Sequence, residues 1–415
     1  MRRITTLAGA VLFLAACTDR TSSPTSPTTF GPSGLSFNVT SETSNELWGS
    51  IIEGETGPGS LYALYMPRTW NGNVIYYAHG IRDVLDQVGL QNQDGFFAVR
   101  DQLGALGFAM AYSSFSENGY AVEDAVQRMH QLRGLFVSQF GQSTRSFLVG
   151  NSLGALASMA LAERFPGQYD GVVPICGVNA GTTKQLEYVV NVRVLFDYFY
   201  PGLLPGSPNA PVPGYVMDAA KQQQIIAAVT ANPIGMLVIA STAQTPLEFT
   251  NTTQLVTSLL NALAYHARGA DNVLTFTNGK FPVGNMDVTY SPRPGLIVPP
   301  LTLPALQAIL AGVNNGVARF EADPSAAIWA ARNFTPSGAL QIPTITLHNL
   351  WDRLVPNFHE TIFGDAVSKA GAANRLVQRA DPAWGYGHCS MPASAQIQAI
   401  TDLAAWVETG VKPAN

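Results

Sequence analysis

The stretch Val149-Gly150-Asn151-Ser152-Leu153-Gly154-Ala155 joins a strand-like run, Arg145-Ser146-Phe147-Leu148-Val149, to the Ala/Leu-rich run LGALASMALAERF at residues 153–165. A serine between a strand and a helix is ordinary by itself, because its side-chain oxygen can satisfy an orphan backbone N–H at the helix start. Here glycine stands two residues before it and two after, which permits a turn too tight for any Cβ. Ser152 therefore has two readings: a helix cap, or a hydroxyl raised on a sharp strand-to-helix turn.

The rest of the chain repeats this alternation. Residues 47–66 read as two strands around the turn GETGPG, and Asn73-Val74-Ile75-Tyr76-Tyr77-Ala78-His79-Gly80 as a buried strand ending in His-Gly. A helix over 96–104, a strand over 108–113 and a helix over 120–140 follow. The last of these carries Ala121, Ala125, Met129, Leu132, Leu135 and Phe136 at helical spacing. After the Ser152 turn and its helix comes the strand Gly171-Val172-Val173-Pro174-Ile175-Cys176. Strands alternating with helices imply βαβ units on a mostly parallel sheet flanked by helices, an α/β fold. The alternation stops near residue 178. Residues 178–338 hold the helical runs KQLEYVVNVRVLFDYF, AAKQQQIIAAVTA, TQLVTSLLNALAYHA and LPALQAILAGV between Pro/Gly breaks. It resumes with a strand over 342–348, a helix near 357–370, a strand over 374–378 and a last helix near 392–408. The expected organisation is a core of 46–177 and 339–415, with 178–338 as a mainly helical cap inserted after the sixth strand.

Charged residues make up 12% of the chain, against about 25% in an average soluble protein. A net charge of −5 with no Lys/Arg block excludes the electrostatic footprint of nucleic-acid binding, and it does not favour acidic substrates either. The N-terminus has two arginines, an apolar stretch from Leu7 to Ala16, then Cys17. The stretch is too short to span a membrane and reads as a signal-peptide core, residues 1–16. Its ending, Leu14-Ala15-Ala16-Cys17, resembles a bacterial lipobox, with Cys17 as the lipid-attachment residue; the alternative is an ordinary cleaved signal with an incidental cysteine. Residues 17–45, rich in Ser, Thr and Pro, read as a disordered tether. Localisation at a cell envelope, lipid-anchored on the periplasmic or extracellular face of a bacterial membrane, is the expectation.

Four elements together resemble the α/β-hydrolase superfamily over about 47–177 and 340–410. They are the Gly150-x-Ser152-x-Gly154 nucleophile elbow, His79-Gly80 after the third strand, HNLWDRLVP at 348–356, and Gly385-Tyr386-Gly387-His388-Cys389 after the last strand. The resemblance implies the order Ser, Asp, His: Ser152 as nucleophile, Asp352 as triad acid and His388 as base. It also implies an oxyanion hole from the backbone N–H groups of Leu153 and Ile81. Competing histidines are His79, His130, His266, His348 and His359. His130 and His359 fall on helices and His266 in the insertion, while His79 and His348 read as packing or hydrogen-bonding residues at the site rim. Asp381, seven residues before His388, is the runner-up acid.

No HExxH, CxxC or carboxylate cluster at ligand spacing is present, and no G-x-G-x-x-G follows a strand, so neither metal nor cofactor is expected. With Cys17 lipidated, Cys176 and Cys389 are left as the candidate disulfide, stapling the His388 loop to the sheet; two buried free thiols are the alternative. The apolar insertion favours a small-molecule ester with an apolar acyl or alcohol part. A capped aminopeptidase needs an acidic anchor for an amine, and no such cluster is evident. A binding lipoprotein without activity is the third reading. Replacement Cys17→Ser should release the protein from the membrane into the soluble fraction. Retention in the membrane would remove the lipobox reading.

Overall fold

The computed structural model describes residues 38–93, 95–246, 252–293 and 300–414. The signal segment, Cys17 and the tether through residue 37 lie outside the described residues. Among the described residues, nine strands form one sheet: β1 (Asn38–Thr43), β2 (Trp48–Glu55), β3 (Leu61–Pro67), β4 (Asn73–Ala78), β5 (Ala109–Ser113), β6 (Arg145–Asn151), β7 (Gly171–Ile175), β8 (Thr344–Leu347) and β9 (Leu376–Arg379). Their order is β1-β2-β3-β5-β4-β6-β7-β8-β9. From β5 to β9 every neighbouring pair is parallel, whereas β1, β2 and β3 pair antiparallel at one end.

Two expectations need correction. The tether does not run to residue 45, because Asn38–Thr43 forms the edge strand β1. This strand is solvated on both faces, so its residues NVTSET show no apolar alternation that would mark it in sequence. The insertion consequently follows the seventh strand, β7, and not the sixth.

The parallel strands are apolar on both sides because helices cover both faces. Within β4, Val74, Tyr76 and Ala78 enter one buried cluster, while Ile75 and Tyr77 enter the other. On the second face lie α1 (Phe96–Ala105) and α12 (Ala393–Thr409), which touch each other. The first face holds α2 (Val122–Phe140) and α3 (Leu153–Arg164). The insertion supplies α4 (Thr182–Phe199), α5 (Ala219–Ala231), α6 (Pro233–Ala243), α7 (Thr252–Leu263), α8 (Asp271–Leu274), α9 (Leu303–Gly316) and α10 (Pro324–Arg332). Helix α11 (Phe358–Lys369) then links β8 to β9. Leu186, Val189, Leu259 and Leu310 of the insertion share a single buried cluster with Val74 and Leu148 of the sheet. The insertion is thus packed into the core of its carrier. No single helix among the described residues is long and apolar enough to cross a membrane.

Three buried histidines make this fold sensitive to acid. Burial first, then the Arg82 cation, pushes His79 down to about 3; burial and Arg193 push His266 down to about 3; burial, aided by His348, holds His359 well below its ordinary value. Each stays neutral in the fold but takes up a proton on unfolding. The stability they contribute is therefore present above about pH 6.5 and is lost as pH falls below it, by about 2 kcal/mol per ring at pH 5. His348, raised by its carboxylate neighbours, works with the opposite sign and offsets part of this. The thermal midpoint should be clearly lower at pH 5 than at pH 7.5, and a midpoint that rises on acidification would contradict the neutral state of these rings.

Candidate active site

The turn after β6 shows why glycine is needed at 150 and 154. A Cβ on Gly150 would stand 2.2 Å from the carbonyl oxygen of Gly154, and one on Gly154 would stand 2.1 Å from that of Ala78. With both absent, α3 starts against the end of β4, and Ser152 takes φ 55° and ψ −117°. Ser152 Oγ makes no capping hydrogen bond to the helix, although this residue occupies the cap position. The cap reading fails on that geometry. The left-handed backbone costs about 1–3 kcal/mol for a non-glycine residue and persists because the surroundings over-determine it. Part of that constraint is the Ser152 N–H, which donates to the carbonyl of Ile175 at 2.9 Å.

The acid loop follows β8. Asp352 is completely buried, and its Oδ1 accepts the N–H groups of Leu354 at 3.0 Å and Val355 at 2.9 Å. Its Oδ2 meets Nδ1 of His388 at 2.7 Å. These contacts orient the imidazole with Nδ1 toward the carboxylate. The loop of His388 is tied to the acid loop by the N–H of Gly387 donating to Trp351 O at 3.4 Å, by Asn349 Nδ2 donating to Gly387 O at 2.6 Å, and by stacked Trp351 and Tyr386 rings. Cys176, just past β7, and Cys389 form a disulfide with Cα atoms 5.2 Å apart. Both half-cystines, like Ser152, have positive φ, 44° and 53°. Their sulfurs lie near His388, but bonded to each other they offer no thiolate to a metal ion.

Sequence reading missed two supports of the acid loop. The first comes from the insertion: on α4, Tyr188 Oη donates to Arg353 O at 3.0 Å and Gln185 Nε2 to Leu354 O at 2.7 Å. The second lies beneath the loop. His348 Nε2 is 2.7 Å from Val355 O and 3.9 Å from Asp352 Oδ2, while its Nδ1 faces Glu360 Oε1 at 3.4 Å. Glu360 also accepts from Thr346, Gln378 and Asn179. Burial alone would lower the His348 pKa, but Glu360 and Asp352 raise it; burial opposes ionisation of Glu360, which His348, Thr346 and Gln378 hold below the usual carboxylate range. His359 accepts the Ala180 N–H at Nδ1 and donates from Nε2 to Gln185 Oε1 at 2.9 Å, as a neutral ring must. Apart from His348, which opens the HNLWDRLVP segment, none of these polar side chains sits in a pattern readable along the chain. His79 and His348 are packing and hydrogen-bonding residues, as expected, but buried and not at a rim: His79 lies against Phe115 and meets the carbonyls of Gly80 and Ser114, and His348 lies under the acid loop. Asp381 is exposed and accepts from Ala383 N–H at the start of a 3-10 turn.

Ser152 and His388 line one cavity of about 300 Å³, roofed by insertion residues such as Leu186, Val189 and Tyr265. Leu153 and Ile81 also line it, and among the described residues neither amide has a hydrogen-bond acceptor. A nine-stranded, mostly parallel sheet with helices on both faces, carrying this elbow at the end of a central strand, defines a member of the α/β-hydrolase superfamily. The model of a tannase-like family of unknown function (DUF6351) matches residues 57–278, more than half of the chain, and the chain belongs to that family. Membership in it supports ester hydrolysis as the class of reaction.

The chain is also similar to an esterase from Aspergillus oryzae (14% identity over 88% of this chain and 80% of that one, TM-score 0.47) and to feruloyl esterase B from Aspergillus oryzae (13%, 91% and 88%, 0.46). A third likeness is to Candida antarctica lipase A (11%, 91% and 83%, 0.45). No curated protein matches the chain.

Thiol titration of the denatured, unreduced chain should find neither Cys176 nor Cys389 free. Mild reduction should slow labelling of Ser152 by a fluorophosphonate probe about ten- to hundredfold, as expected when a reacting group is displaced by about an ångström. Two free thiols would exclude the bridge.

Proposed function

We propose that the chain hydrolyses carboxylic esters with an apolar acyl or alcohol part through an acyl-enzyme. Ser152 Oγ adds to the ester carbonyl carbon while its proton passes to Nε2 of His388, and Asp352 stabilises the resulting imidazolium. The N–H groups of Leu153 and Ile81 hold the oxyanion. Collapse of the tetrahedral species breaks the bond to the alcohol oxygen, which takes the proton from His388. A water deprotonated by the same nitrogen then attacks the acyl carbon, freeing the acid and returning the proton to Ser152.

The observation that carries this reading is the backbone of Ser152. A strained serine, uncapped and at the wall of a cavity that also holds a carboxylate-oriented imidazole, has no structural task that explains it. The cavity wall is mainly apolar, with Ile81, Leu153, Val178, Leu186 and Val189, which suits an apolar substrate part. No carboxylate lines it among the described residues, so an aminopeptidase lacks its anchor for the substrate ammonium. The segment Leu14-Ala15-Ala16-Cys17 supports export and a lipid anchor at the cell envelope.

Purified protein should hydrolyse 4-nitrophenyl butyrate and leave aminoacyl 4-nitroanilides intact. Ser152→Ala should lose at least about 10³-fold in kcat. Anilide hydrolysis that depends on Ser152 would replace the ester reading with the peptidase one. Absence of both activities in folded protein that also resists the fluorophosphonate would favour a binding role.

A further inference from the structure

Two arginines reach the wall of the active-site cavity, and they differ in what faces them. Arg268 is already neutralised: its Nε lies 2.7 Å from Asp83 Oδ2 and its Nη2 3.6 Å from Asp86 Oδ1. Arg353 has no side-chain hydrogen bond or ion pair among the described residues. It is half-buried, and its carbonyl accepts a hydrogen bond from Tyr188 Oη at 3.0 Å. Its Nη2 lies 3.9 Å from the position a Cβ would take on Gly387, the residue before His388. The guanidinium therefore stands beside the loop that carries the imidazole.

A guanidinium cannot shed its proton, and one partly withdrawn from water without a counter-ion is unfavourable until an anion reaches it. Its planar fork matches a carboxylate through two parallel hydrogen bonds. Since Asp352 already accepts three donors and turns its Oδ2 to His388, it does not fill that role. The net charge of −5 disfavours acidic partners for the surface as a whole, but the cavity wall has the opposite local sign. Resting on the ester reading above, we propose that Arg353 binds a carboxylate on the substrate, so that the favoured substrates are esters bearing a free carboxylate near the scissile bond.

The test is a pair of rate ratios. For a carboxylate on the acyl side, kcat/KM for the 4-nitrophenyl half-ester of glutaric acid is divided by that for 4-nitrophenyl pentanoate. For the alcohol side, 4-carboxyphenyl butyrate is compared with 4-carbamoylphenyl butyrate. At least one ratio should fall about tenfold in Arg353→Met, be partly retained in Arg353→Lys, and decline with salt in the wild type. Because each ratio uses the neutral ester as its own reference, general damage to the fold cancels. The Arg268→Met variant should keep the wild-type ratios, its guanidinium being occupied already. Unchanged ratios in Arg353→Met, with neutral esters still turned over, overturn the proposal while leaving ester hydrolysis standing. If no ester is turned over, the ester reading has failed, and calorimetric titration with glutarate and benzoate still decides: tighter binding by wild type than by Arg353→Met supports the carboxylate site, and equal binding overturns it.

Discussion

The contact on which the site depends is between two backbones. Helix α3 begins so close to the end of β4 that a single carbon on residue 154 would collide with the carbonyls of Ala78 and His79. A strand that must turn into a helix within that distance leaves no relaxed conformation for the residue at the corner, and Ser152 takes up the difference as positive φ. The same closeness explains the composition of α3, whose first ten residues are buried and mostly Ala, Gly or Leu. Small side chains let the helix lie on the sheet at the separation the corner imposes.

Around that corner the chain places its polar groups by pairing each one. Asp352 enters a fully buried position only because two N–H groups and one imidazole meet it there, in keeping with the cost of burying an unpaired charge. Under it, His348 and Glu360 form a second acid–imidazole contact that closes on the carbonyl of Val355, one of the residues donating to Asp352. The acid loop is thus clamped from below by β8 and α11 and from above by α4. The insertion supplies the upper clamp, so it helps hold the loop of Asp352 as well as roofing the cavity.

Strain gathers where the chain crosses from one element to another near this cavity. Ser152, Cys176 and Cys389 all adopt positive φ without being glycine. The disulfide links the last two across 213 residues of sequence, and so ties the end of β7 to the loop after β9. The intervening strand β8 is bypassed by the loop itself, which returns over the sheet edge with Trp351 and Tyr386 stacked along the way.

The sequence by itself determined the alternation of strands and helices, the elbow at Ser152 and the order of Asp352 and His388. Each of these rests on local chemistry: a period of two or of 3.6, a pair of glycines, a short motif beside a strand. It left three matters to the tertiary structure. The edge strand β1 carries no buried face, so no pattern betrayed it. The pairing of Cys176 with Cys389 depended on how far a loop could travel across the sheet, a distance no spacing in the chain encodes. The supports of the acid loop, Gln185, Tyr188, His348 and Glu360, and the unpaired state of Arg353 are decided by which side chains meet after folding. Charge partners in space have no signature along the chain, because a neutralised arginine and a free one are the same letter until the fold brings, or fails to bring, a carboxylate beside them.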